Sequence, residues 1–335
     1  MEETRRVHTV AVGASAGGIE PLRQLVSALP RDYPASVLIV LHVAPIAHSV
    51  LPQILARAGD LPATHAIDGE SLEGGHIYVA PPDCHLLVSD GRLVLDHGPR
   101  VNGHRPAIDP LFRTAAESWR EAAVGVVLSG VLDDGTAGLM AVKRAGGITF
   151  VQDPDEALYP MMPRNAIEFV DPDRIAGARD LGLALAQMAA SPPPKGPVKE
   201  APTTPEEALI EVDRGASDHP QPGDATGLTC PHCHGGIWET IENGIGIPRY
   251  QCRVGHEFTV ESFAAEQAAR VEAALWTALQ ALEERAALHR RIAARQRDRG
   301  NSRSARRFEH RADLSVENAV ALRQLLQHFV EADVA

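Results

Sequence analysis

Nowhere in this sequence does an apolar run approach the ~20 residues that a membrane-spanning helix needs, which excludes helical insertion as a reading of the chain. The opening residues, MEETRRVHTV, contain no apolar h-region before a strand-like run begins. No cleaved secretory signal is expected, and the protein is expected to be cytoplasmic. Basic residues are in deficit, 32 Lys and Arg against 44 Asp and Glu, and the net charge of −12 argues against nucleic acid as the main partner. Aromatics supply only 4% of a chain whose apolar content, 44%, is ordinary, so neither a fibrous nor a wholly disordered class fits. Internal repeats are not evident. Cysteine is scarce as well, with four at positions 84, 230, 233 and 252. Three of them cluster late, which in a reducing compartment suggests metal rather than disulfides. Cys84, in PPDCHLL, reads as a small buried residue.

What is present falls into blocks. From residue 7 to about 190, short β-branched runs (HTVAVGA, SVLIVLH, AVGVVLSG, GITFVQ) alternate with amphipathic stretches such as IEPLRQLVSALP and DPLFRTAAESWR. That alternation predicts an α/β domain, a doubly wound and mostly parallel sheet with helices on both faces. Asp90-Gly91 between two apolar runs signals an antiparallel hairpin beside that sheet. Residues 191–227 are rich in proline, glycine and small polar residues and read as a flexible linker with one helical turn near PEEALIEV. A compact cysteine-bearing module is expected over 228–260. Over 261–335, apolar residues at steps of three and four (Val271, Leu275, Leu279, Leu282, Ala286, then Leu322, Leu325, Phe329) predict a helical hairpin. Ten arginines against two acids between Arg285 and Arg311 mark either a solvated helical face or a docking patch for an acidic partner.

The stretch VAVGASAGGIEPL carries the chemistry. Gly13-Ala14-Ser15-Ala16-Gly17 fits G-x-S-x-G between a strand and a helix, where a sharp turn lifts a serine hydroxyl above the carboxyl edge of a sheet. Backbone N–H groups at the helix start, Ala16 among them, can then stabilise an oxyanion. The same letters suit a dinucleotide-binding glycine loop. That reading needs an acidic residue ending the second strand, where SVLIVLH has His42. It also needs a Tyr-x-x-x-Lys pair, and none of the four tyrosines has lysine four residues on. His42 instead suits a base for Ser15, since parallel strand ends collect along one edge. AVGVVLSG leads Asp133 and Asp134 to that edge too, giving serine, base and carboxylate at three strand ends. Either aspartate fits the carboxylate role, and either also fits an N-cap ahead of TAGLMAVKRAG.

These residues resemble the catalytic domain of chemotaxis protein-glutamate methylesterases. VGASAGG, VLHVAP, DGESLEGGHIYVAPPDCHL, HRPAIDPLF, VGVVLSGVLDDGTAGL and MPRNAI match in order over residues 7 to about 190. The resemblance implies a triad of Ser15, His42 and Asp134 that hydrolyses glutamyl methyl esters on chemoreceptor helices and in some members deamidates glutamine. It implies no catalytic cofactor. Three departures stand out. Family members usually carry a phospho-receiver domain, and this sequence opens on the catalytic strand, so a phospho-switch within the chain is not expected. Ala16 stands where threonine often follows the serine, and Val131-Leu132 where Met-Gly is common. The rival from another class is a signalling adaptor, catalytically weak or silent, whose cysteine module and helices recruit partners.

Cys230-x-x-Cys233 and Cys252-x-x-x-His256 form two short knuckles whose four ligands suit a closed, structural zinc site. His232 and His234 are alternative ligands beside the first knuckle. His76, His85, His97 and His104 read as structural histidines near the hairpin, with His104-Arg105 a candidate lining of the substrate cleft.

Overall fold

The computed structural model describes residues 9–46, 49–189, 223–241 and 248–332. Most of the expected linker, including PEEALIEV, lies outside them. In chain order the elements are β1 (Thr9–Ala14), α1 (Ile19–Ser27), β2 (Ser36–Leu41), α2 (Leu51–Ala58), β3 (Ala63–His65) and β4 (Ile77–Val79). There follow β5 (His85–Ser89), β6 (Arg92–Asp96), α3 (Ile108–Trp119), β7 (Ala123–Val127), α4 (Thr136–Arg144), β8 (Ile148–Gln152), α5 (Met161–Val170), β9 (Arg174–Ala176) and α6 (Ala178–Ala189). The remainder comprises β10 (Asp224–Thr229), β11 (Gly236–Ile241), β12 (Pro248–Cys252), β13 (Glu257–Thr259), α7 (Val260–Asp298) and α8 (Ser302–Ala332). They divide into two compact units, one ending at Phe263 and the other running from Ala264.

The first unit is built on seven parallel strands in the order β3-β4-β2-β1-β7-β8-β9. Strands buried on both faces need apolar residues at every position, and VAVGA, VLIVL and AVGVV supply them. Alternate residues feed two cores. Val10, Val12, Val37 and Ile39 pack on one face with Leu22 and Leu25 of α1, Leu55 of α2 and Leu181 of α6. Ala11, Leu38, Val40 and Val127 pack on the other with Phe112 of α3, Leu139 of α4 and Met162 of α5. Truncating one such leucine to alanine typically costs about 2–5 kcal/mol. From β1 the chain winds first toward β2 and later back to β7, so the strand order reverses at β1, where open α/β sheets place their sites.

The expected hairpin is β5–β6, and Asp90 and Gly91 turn it with positive φ at both positions. A four-stranded antiparallel ribbon, β10-β11-β12-β13, completes the first unit. β10 starts at Asp224, inside the stretch read as linker, because Asp224 pairs with Glu239.

In the second unit Leu279 of α7 packs with Ala319 and Leu326 of α8, flanked by Leu275, Leu282 and Leu322. Val271 and Leu325, which the spacing puts on the apolar stripe, are exposed instead. Two helices bury one seam, and residues at its margins stay in solvent. The side chain of Phe329 lies outside the described residues.

Candidate active site

Ser15 follows the last residue of β1 in a tight turn. Gly17 adopts φ +70°, a conformation that L side chains rarely take, and so lets the chain reverse into α1. The turn is pinned from below: the Ser15 N–H donates to the Ser129 carbonyl (2.9 Å) and the Gly18 N–H to the Ser15 carbonyl (3.0 Å). Ser129 Oγ donates to the Ala16 carbonyl at 2.9 Å. No hydrogen-bond acceptor among the described residues meets the Ala16 N–H.

His42 follows the end of β2, held there by its N–H to the Ala14 carbonyl (3.2 Å). Its Nδ1 lies 3.0 Å from Ser15 Oγ and its Nε2 lies 2.7 Å from Asp134 Oδ2. The His42 and Asp134 side chains are only 6% and 3% exposed. An ionised Asp134 accepts from Nε2–H, which leaves Nδ1 to accept the serine O–H.

Asp134 sits beyond β7 and just ahead of α4, yet its carboxylate serves α3. Oδ2 accepts the Ile108 N–H (2.7 Å), and Oδ1 accepts the Asp109 N–H (3.3 Å), so it occupies the N-terminus of a twelve-residue helix. Oδ1 also accepts Gly135 N–H (3.0 Å) and Asn102 Nδ2–H (2.9 Å). Gly135, with φ +90°, caps α4 without any side-chain bond, so neither aspartate is the N-cap that the sequence allowed. Burial alone would raise the Asp134 carboxyl. The hydrogen bond and charge of His42 and the Ile108 amide outweigh it and hold the group well below the usual carboxylate range. Asp133 points elsewhere, and burial, with the charges of Asp109 and Asp134, pushes it up to about 7 against a hydrogen bond from Thr259.

His104 stacks on His42 with ring centroids 3.7 Å apart. Arg105 turns away, pairing with Asp83 (2.7 Å) and donating to the His97 and Gly98 carbonyls (2.8 and 2.6 Å). His85 accepts from the Ala107 N–H and meets the Pro99 carbonyl, and His97 lies against Cys84. Asn102, Ile108 and Asp109 escaped assignment from the sequence. Two of the three lie inside HRPAIDPLF, and that match was the available signal.

A second cluster lies in the ribbon. Ligand atoms of Cys230, Cys233, Cys252 and His256 all fall within 4.8 Å of one another, and the thiols are free. Cys233 Sγ is 3.5 Å from Cys252 Sγ, and Cys252 Sγ is 3.4 Å from His256 Nδ1. His232 stacks on His256 and on Phe258.

The family model described as CheB methylesterase matches residues 10–185. A Leptospira interrogans relative described as a protein-glutamate methylesterase/protein-glutamine glutaminase is 36% identical over 167 residues, covering 50% of this chain and 86% of that protein. The protein-glutamate methylesterase/protein-glutamine glutaminase of Maricaulis maris is 34% identical over 190 residues, 56% of this chain and 47% of the relative. The chain thus spans about half the length of that relative. Among solved structures, the Thermotoga maritima CheB methylesterase catalytic domain superposes with a TM-score of 0.53 at 30% identity, covering 55% of this chain and 99% of that domain. The chain belongs to the CheB methylesterase family.

Proposed function

We propose that this protein is a serine hydrolase that removes methyl esters from glutamyl side chains of chemoreceptor-type proteins and deamidates glutamine by the same route. One observation carries the mechanism: a buried carboxylate, an imidazole and a serine hydroxyl form a chain of hydrogen bonds of 2.7 and 3.0 Å at three strand ends. Ser15 Oγ attacks the ester carbonyl while His42 Nδ1 takes its proton. Asp134 holds the ring in the tautomer that leaves Nδ1 free and balances its charge once protonated. The Ala16 N–H, which meets no acceptor among the described residues, is assigned to the developing oxyanion, a contact typically worth about 3 kcal/mol. Collapse of the tetrahedral intermediate breaks the C–O bond, and His42 returns the proton to the leaving methanol. Water then attacks the acyl-serine by the mirror sequence. With glutamine, ammonia leaves instead. Methanol release from a methylated receptor, lost in Ser15→Ala, tests this reading.

The domain assignment that accompanies it is a catalytic domain over 1–190, a linker over 191–227, a zinc ribbon over 228–260 and a helical hairpin over 261–335. Cys230, Cys233, Cys252 and His256 would hold the zinc. Soft thiolates with one imidazole suit that ion, and sulfurs ~2.3 Å from a tetrahedral zinc would stand about 3.8 Å apart, close to the Cys233–Cys252 separation. Four protein ligands close the site, so the ion supplies folding energy rather than catalysis. The Arg285–Arg311 cluster is assigned to docking on acidic receptor helices. Replacing Arg290, Arg291 and Arg295 by glutamine should then raise KM for the receptor, most strongly at low salt. A salt-independent KM would remove that role.

A further inference from the structure

The ribbon carries the metal ligands, but its open edge reaches the active site. β12 and β13 pair antiparallel in the register Arg249↔Thr259, Tyr250↔Phe258, Gln251↔Glu257, and the knuckle from Cys252 to His256 is the turn between them. The same hairpin that presents two of the four ligands thus presents Arg249, Glu257 and Thr259 to the α/β domain.

Each of the three meets the support of Asp134. Glu257 joins a parallel bridge to Val101, with the Asn102 N–H donating to the Glu257 carbonyl (2.8 Å) and the Glu257 N–H to the Arg100 carbonyl (3.3 Å). That bridge fixes the loop bearing Asn102 and His104. The Thr259 N–H (3.0 Å) and Ser262 Oγ–H (3.2 Å) both donate to Asn102 Oδ1. With its carbonyl end filled, the Asn102 amide presents its two N–H groups to Asp134 Oδ1 (2.9 Å) and Asp109 Oδ2 (3.0 Å). Thr259 Oγ1–H donates to Asp133 Oδ1 (2.7 Å), and Arg249, 4% exposed, lies 3.4 Å from Asp109 Oδ2. Of the three buried aspartates at this helix junction, Asp109 is met by a cation and Asp133 by a hydroxyl from the ribbon, and Asp134 is reached through Asn102.

We infer that the cysteine ribbon is a positioning element of the active site, setting the Asp134 carboxylate through Asn102 and Asp109, so that metal occupancy governs the rate at which Ser15 reacts. The inference rests on the serine-hydrolase reading. The ribbon's own core is small (Cys230, Ile237, Cys252, Phe258 and Phe263), and a core of that size needs a metal to hold its strands in register. When the knuckles are released, the register that places Thr259 and Arg249 is lost with them. Asn102 is then free to turn, and the imidazole loses its fixed partner. Small misplacements of this kind slow chemistry without weakening substrate binding.

The test uses the full chain, loaded with zinc or stripped by chelator. Its readouts are the rate of Ser15 capture by a fluorophosphonate, and kcat and KM for p-nitrophenyl acetate. Stripping should lower the capture rate and kcat roughly tenfold with KM little changed, and added zinc should restore both. The Thr259→Val/Ser262→Ala double variant, its zinc retained, loses both hydroxyl bonds but keeps the Thr259 N–H on Asn102, so it should show a smaller loss in the same direction, and Thr259→Ser should keep wild-type rates. Stripped chain and double variant that capture the probe as fast as loaded wild type would overturn the inference. A loaded wild type that captures no probe at all would instead remove the hydrolase reading on which it stands.

Discussion

The imidazole of His104 lies flat on that of His42, with planes 13° from parallel. Burial first, and the neighbouring His42 second, push its pKa down to about 4. His104 therefore stays neutral at physiological pH, so His42 can take a proton against a polarisable face rather than against a second cation.

A stability consequence follows with a definite sign. In the unfolded chain His104 titrates near its ordinary value of 6.5, and in the folded chain near 4. Between those values the unfolded state binds the extra proton, so this residue lowers stability as pH falls through that window, and the effect levels off below it. His104→Phe keeps a stacking ring and removes the titration. It should reduce the stability difference between pH 7 and pH 4 by on the order of 2–3 kcal/mol. Urea unfolding of both proteins at the two pH values measures this, and identical pH dependence would contradict it.

Asp133 and Asp134 are neighbours with different partners, Thr259 Oγ1 for the first and His42 Nε2 for the second. Asp134→Asn should lower ester turnover by roughly 10⁴-fold, because the imidazole loses the partner that selects its tautomer. Asp133→Asn leaves that partner intact and should cost far less. Steady-state kinetics of the two proteins decide the matter, and a larger loss in Asp133→Asn would reverse the assignment.

Metal analysis of the purified protein should find about one zinc per chain. Replacing both Cys230 and Cys233 by serine should abolish it. Stoichiometric zinc in that double variant would move the site away from these knuckles.

Much of this arrangement was legible in the sequence. Consecutive apolar strands in a parallel sheet bring their ends to one edge, and Ser15, His42 and the two aspartates each end or closely follow such a strand. Asp90-Gly91 turns as its letters demand. The choice between Asp133 and Asp134 was not legible from local chemistry, because the carboxylate is aimed by the amides of α3, more than twenty positions earlier. The ribbon's approach was hidden for a related reason. Thr259 and Asn102 are 157 positions apart, and no periodicity or motif encodes a hydrogen bond across that distance. Glycine and proline before residue 224 look like a tether, and a tether says nothing about where the next strands settle.

The central claim is that Ser15, activated by His42, hydrolyses glutamyl methyl esters. The most direct measurement is release of radiolabelled methanol from a chemoreceptor methylated in vitro, by wild type and by Ser15→Ala at matched fold and zinc content. The account predicts release by wild type that depends on enzyme concentration, and background release by the variant. Equal release by the two proteins, or none above background from wild type, would contradict it.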